Sequence, residues 1–251
     1  MTEALSPTPW LIGVVTALVA FFALDLWRLI AEAQSRVGAH DRRMRLGAGG
    51  VVGGWVALAL FATFVPGVRD WITSVPGLPA ILLAALVGGV ASLGFAPTFR
   101  RAVGAVPMES ILTLFYWRAI FGVWLLASFA AGRLPAGFGL PAAVGDIAVT
   151  LLAIVILAVW PAAGSVPRWP LMAWNAVGFF DLVSVAVLAA TVLRPWAAQR
   201  GLPGANFGLQ LFVVPVFLGL HLHIFARLWR EMKAQRGSAT ASAAVAAQKR
   251  A

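Results

Sequence analysis

The chain has 251 residues, of which 61% are apolar and only 11% charged, with a formal net charge of +10. Soluble domains are about 45–50% apolar and about 25% charged, so these proportions exclude an ordinary soluble enzyme, a disordered chain and a nucleic-acid-binding protein. The absence of cysteine removes disulfides, thiolate catalysis, Cys-ligated zinc and iron–sulfur clusters.

A polytopic membrane protein remains. A hydrocarbon core about 30 Å thick takes roughly 20 apolar helical residues to cross. Seven stretches qualify: 10–31, 48–65, 78–96, 111–131, 144–160, 171–193 and 209–228. None alternates as a membrane strand would, so the expected fold is all-α, a seven-helix transmembrane bundle over residues 1–236. The Ala/Ser-rich, basic tail 237–251 is expected to be disordered. No Lys or Arg precedes the first span, which is longer than a signal-peptide core and reads as a retained helix. With the amino terminus outside, fourteen basic residues fall on inner segments and four on outer loops, placing the carboxyl terminus in the cytoplasm. The expected location is a bacterial inner membrane, with anionic lipid headgroups meeting the basic inner face. A membrane-protein partner or a second copy of the chain is the other expected partner class.

Along the chain, Asp25 lies in the inner third of the first span, and the basic loop 33–46 follows. Gly49-x-x-x-Gly53 and Gly50-x-x-x-Gly54 in the second span are close-packing motifs. Arg118 stands inside the fourth span. Residues 132–145 hold four glycines and two prolines, and read as a loop that folds over the outer mouth as a lid or makes a short re-entrant turn, with Asp146 as the cap of the fifth helix. In the sixth span Asn175, Gly178, Asp181 and Ser184 recur every third residue, a small-or-polar stripe expected to face protein. The seventh carries Gln210, Pro215, His221 and His223. Six of the eleven tryptophans fall near span ends, as an interfacial belt does.

Ionisable groups at membrane depth are costly and therefore come with partners. Arg118 and Asp181 approach mid-depth and are expected to pair, either as a static clamp or as a site for a charged species. Asp25 and His221 share a depth and form the second expected pair, structural or proton-relaying. Asp146, Asp181/Arg118 and His221/Asp25 would then form a ladder across the membrane. No cofactor or metal is expected. The only lysines, Lys233 and Lys249, lie beyond the last span, which rules out a retinal Schiff base. His223 points about 200° from His221, so one helix cannot offer both to a metal or haem. Neither His-Glu-x-x-His nor Gly-x-Ser-x-Gly occurs, which disfavours an enzyme.

The run Gly132-Arg-Leu-Pro, Gly145-Asp146, Trp174-Asn175-x-x-Gly178-x-x-Asp181-Leu182 and the later Pro215 and His221 resembles small, uncharacterised bacterial multi-span inner-membrane proteins. The resemblance covers residues 132–228. It implies that Asp146, Asn175, Asp181, Pro215 and His221 belong together, and not what they do. The expected function is binding or conduction of a small solute or protons by a mid-membrane polar cluster. The alternative is a non-catalytic accessory, assembly or sensor subunit.

Overall fold

The structure, a computed structural model, describes residues 9–36, 42–65, 67, 71, 78–93, 101, 104–159, 168–200 and 207–248. Among these the secondary structure is helical, without a strand. We number the helices α1 (Pro9–Arg36), α2 (Arg42–Phe64), α3 (Leu78–Leu93), α4 (Met108–Leu114), α5 (Tyr116–Ala130), α6 (Ala136–Val159), α7 (Arg168–Leu188), α8 (Arg194–Gln199) and α9 (Phe207–Gln248). Helices α4 and α5 form one rod with a tight step at Phe115. A single π turn, Ala189–Leu193, joins α7 to α8. Among the described residues seven rods result, and the described part of each expected apolar stretch falls on one of them. Three are long and apolar enough to cross a membrane: Met108–Ala130, Ala136–Val159 and Arg168–Gln199.

Helix α9 packs against α1, α2, α3 and α7, while α6 packs between α5 and α7. At the α5–α6 corner the Gly132 N–H donates to the Phe129 carbonyl (2.8 Å) and the Arg133 N–H to that of Ser128 (2.9 Å). This is a Schellman closure, and it requires the left-handed φ of +69° that Gly132 supplies. The amides of Phe138 and Gly139 then turn onto the Pro135 carbonyl to start α6. Residues 132–145 are therefore no lid. Only a short turn separates the helices, and α6 runs on through Pro141. A Cβ on Gly139 would come within 2.9 Å of the Phe129 Cβ, so the glycines read as loop punctuation instead let the two helices approach.

The polarity of the bundle is inverted. Leu151, Val155 and Phe180 are 57%, 58% and 65% exposed, whereas Arg118, Asn175 and His221 are at most 1% exposed. An apolar exterior around polar interior contacts suits a hydrocarbon surrounding better than water. The core continues as an aromatic layer. Phe22 of α1 stacks on Phe217 of α9 at 5.1 Å, and Phe115 meets Phe217 at 5.2 Å and Trp174 at 4.9 Å. Helix α9 extends to Gln248, through residues expected to be disordered; a run rich in alanine favours helix even without packing partners.

Candidate functional site

Four helices converge on Arg118. It is the eleventh of 23 residues in the α4–α5 rod, hence about 15 Å from either end at the helical rise. Its Nε donates to Asp146 Oδ1 of α6 at 2.7 Å. Nη2 donates to Asp181 Oδ2 of α7. Nη1 donates to the Gly178 carbonyl at 3.2 Å and lies 3.4 Å from His221 Nε2 of α9. Four of the five guanidinium N–H groups therefore have protein acceptors, and the planar fork ties four helices at one point.

Behind the arginine, the Asn175 amide donates through Nδ2 to the His221 carbonyl at 2.9 Å, which turns its Oδ1 toward His221 Nδ1, 2.8 Å away. Oδ1 only accepts, so the proton sits on Nδ1. Nε2 then presents its lone pair to Arg118, which only donates. The imidazole is held as one neutral tautomer, with Phe115 and Trp174 packed against it at 4.8 and 5.8 Å.

Glycines make the space. A Cβ on Gly145 would collide with the Asp181 carboxylate, and one on Gly178 would lie 2.8 Å from His221 Nε2. A Cβ on Gly122 would meet the Ala143 carbonyl at 2.9 Å. The Thr150 hydroxyl lies 3.0 Å from the carbonyls of both Phe115 and Asp146. It thus supports the Phe115 step, where the Phe115 N–H bonds to Leu112 and the Arg118 N–H to Phe115, three residues back in each case. The Trp174 indole donates to the Val149 carbonyl at 2.9 Å.

Arg118 and Asp146 also border a cavity of about 50 Å³. Its walls are Phe121, Trp124, Leu125, Phe138, Leu182, Val185, Val213, Val214 and Phe217. Leu125, Phe138, Val185 and Val213 are each displaced from the site residue of their own helix toward the Gly132 end. On the opposite side Ile111, Leu112, Phe115, Leu171, Trp174 and Ile224 are at most 3% exposed.

Five of the six expected site residues meet here: Arg118, Asp146, Asn175, Asp181 and His221. Asp25 does not. Its carboxylate accepts from Arg28 (3.0 Å) and from the Trp117 indole (2.8 Å), because stacked Phe22 and Phe217 fill the space between α1 and α9. Asp146 is no helix cap. It is the eleventh residue of a 24-residue helix, level with Arg118, so the expected ladder contracts to a single site. The stripe on α7 also divides. Steps of three residues drift about 60° each on a helix of 3.6 residues per turn. Asn175, Gly178 and Asp181 accordingly reach the site, while Ser184 is exposed and bonds to the Phe180 carbonyl. Thr150 and Gly145 were missed as site residues; Thr150 lies four residues after Asp146, on the same face of α6. Gln210 lies outside the residues whose side chains are described. No group of three or more His, Cys, Asp or Glu suited to a metal ion occurs among the described residues.

No curated protein and no solved structure matches the chain. Residues 75–229, which hold the whole Arg118 cluster, match a protein family described as a domain of unknown function. The chain thus belongs to that family, DUF8737.

Proposed function

We propose that this chain is a multi-pass protein of a bacterial inner membrane, crossing it seven times with the amino terminus outside and the carboxyl terminus in the cytoplasm. Its mid-membrane cluster binds or conducts a small solute or protons. The observation that carries this reading is Arg118, at 1% exposure, joining two carboxylates and a neutral imidazole beside a cavity. Ionisable groups at such depth are expensive unless a function retains them. A clamp that served packing alone would need neither a second carboxylate nor a space beside it. The topology is supported by Arg168, Arg227, Arg230 and Lys233 gathering at one end of the bundle, where anionic headgroups would meet them.

Reconstitution into proteoliposomes tests the reading. Flux of protons or of a solute is expected in the parent protein and should be abolished in Asp181→Asn and His221→Ala. Unchanged flux in both variants would overturn it. The near-complete saturation of Arg118 favours one competing reading, an accessory or assembly subunit. In that case the protein would carry no flux, would co-purify with a larger membrane partner, and would lose its fold on single replacement of Arg118 or Asp181.

A further inference from the structure

We propose that Asp146 and Asp181 share a single exchangeable proton, taken up as a proton from water in the cavity beside Asp146 and Arg118. The proposal rests on the functional reading above and narrows its ligand to a proton.

The argument begins with a charge count. The titratable groups that meet at Arg118 of α5 are Asp146 from α6, Asp181 from α7 and His221 from α9. Two carboxylates face one guanidinium, and His221, with its proton on Nδ1 and its Nε2 lone pair toward Arg118, adds no charge. Fully ionised, the cluster carries one uncompensated negative charge in a region of low dielectric constant. One positive charge must complete it.

Geometry selects the proton. Each carboxylate spends one oxygen on Arg118, and Asp146 Oδ2 and Asp181 Oδ1 have no hydrogen bond among the described residues. A hard metal cation takes about six oxygen ligands, yet the cavity offers it aromatic and aliphatic walls, and no further acidic side chain borders it. A proton needs one oxygen. The cavity volume of about 50 Å³ exceeds the roughly 10–15 Å³ that a single water needs and falls far below the roughly 300–1,000 Å³ of pockets for organic ligands. The indole nitrogen of Trp124, a residue of the cavity wall, is buried and has no hydrogen-bond partner among the described residues. Uptake balances simply: hydronium gives its proton to the carboxylate, leaving a carboxylic acid and water. Access is from the Gly132 end, because the Phe115–Trp174 layer closes the other side.

The test is an infrared titration of the purified protein in nanodiscs at neutral pH, counting protonated carboxyl groups by their carbonyl stretch. One is expected in the parent protein. None is expected in either Asp146→Asn or Asp181→Asn, since each leaves one carboxylate on one guanidinium. Asp146→Glu should restore the band. Absence of the band from the parent, or its survival in both Asn variants, overturns the proposal, as would a sodium-dependent loss of the band. The chain has no cysteine, so Val214→Cys gives a single thiol in the cavity wall. It should be reached by silver ion, a thiol reagent of about the size of water, from the outer side of oriented vesicles alone; reaction only from the inner side overturns the access route. The two proposals fail separately. A protonated carboxyl without any flux defeats the functional reading and keeps the proton site. Solute flux that Asp181→Asn abolishes, without a protonated carboxyl, does the reverse.

Discussion

His221 shows how much one amide decides. Asn175 fixes the imidazole tautomer through two bonds, one to the ring and one to the carbonyl of the same residue. In Asn175→Ala both are lost and buried groups go unpaired, at a cost of about 1–3 kcal/mol. The expected outcome is a lower melting temperature in detergent. Nitrogen NMR should also show a mixture of tautomers at His221 in place of the single Nδ1–H form. Gly178→Ala acts oppositely, by adding volume against the ring, and is expected to cost about 1–3 kcal/mol in the same melt. The sequence already made Arg118, Asn175, Asp181 and His221 conspicuous, because ionisable and amide groups stand out in apolar runs. Asp25 stood out equally and belongs elsewhere. Depth along a helix follows from residue number, whereas the neighbour a side chain meets depends on which helices are adjacent.

The α5–α6 hairpin holds the site together. Its Schellman corner places Arg118 and Asp146, 28 residues apart, at one height. Glycine and proline between 132 and 145 usually mark a loop, and here they mark close helix approach, with Pro141 accepted inside α6. Apolar surroundings tolerate such a proline when neighbouring helices compensate the backbone. This is why the start of the fifth helix was illegible while its core was plain. Thr150 supports the same hairpin by bonding across to Phe115. Replacing it with the near-isosteric valine removes the hydroxyl and little volume. Thr150→Val should therefore cost about 1 kcal/mol in thermal unfolding, and a loss near zero would remove Thr150 from the support of the Phe115 step.

For the whole molecule, the apolar exterior and the asymmetric charge were the most legible features, since they depend on composition and on counts along the chain. A cysteine-free chain makes the proposed orientation directly measurable. Ala136→Cys, exposed at the Gly132 end, should be labelled by an impermeant reagent from outside the cell. Ala234→Cys, exposed beyond the basic end, should be labelled only after the membrane is opened. Reversed labelling would invert the topology and, with it, the side from which the cavity fills. The order of helices around Arg118 was beyond reach of the sequence, because packing partners separated by 63 residues, such as Arg118 and Asp181, leave no local pattern.

The spacing of Arg118 from its acids also bears on biosynthesis. On the proposed membrane reading, the arginine emerges from the ribosome before either carboxylate, and alone at mid-helix it would oppose insertion by about 2.5–3.5 kcal/mol. At about 5–20 residues per second, Asp146 follows roughly 1–6 s later, and Asp181 later still. Because the first acid arrives on the very next helix, the two rods would enter the translocon's lateral gate as a neutralised couple. Commitment to the bilayer would thus be a joint event, and the second acid would join a couple already seated.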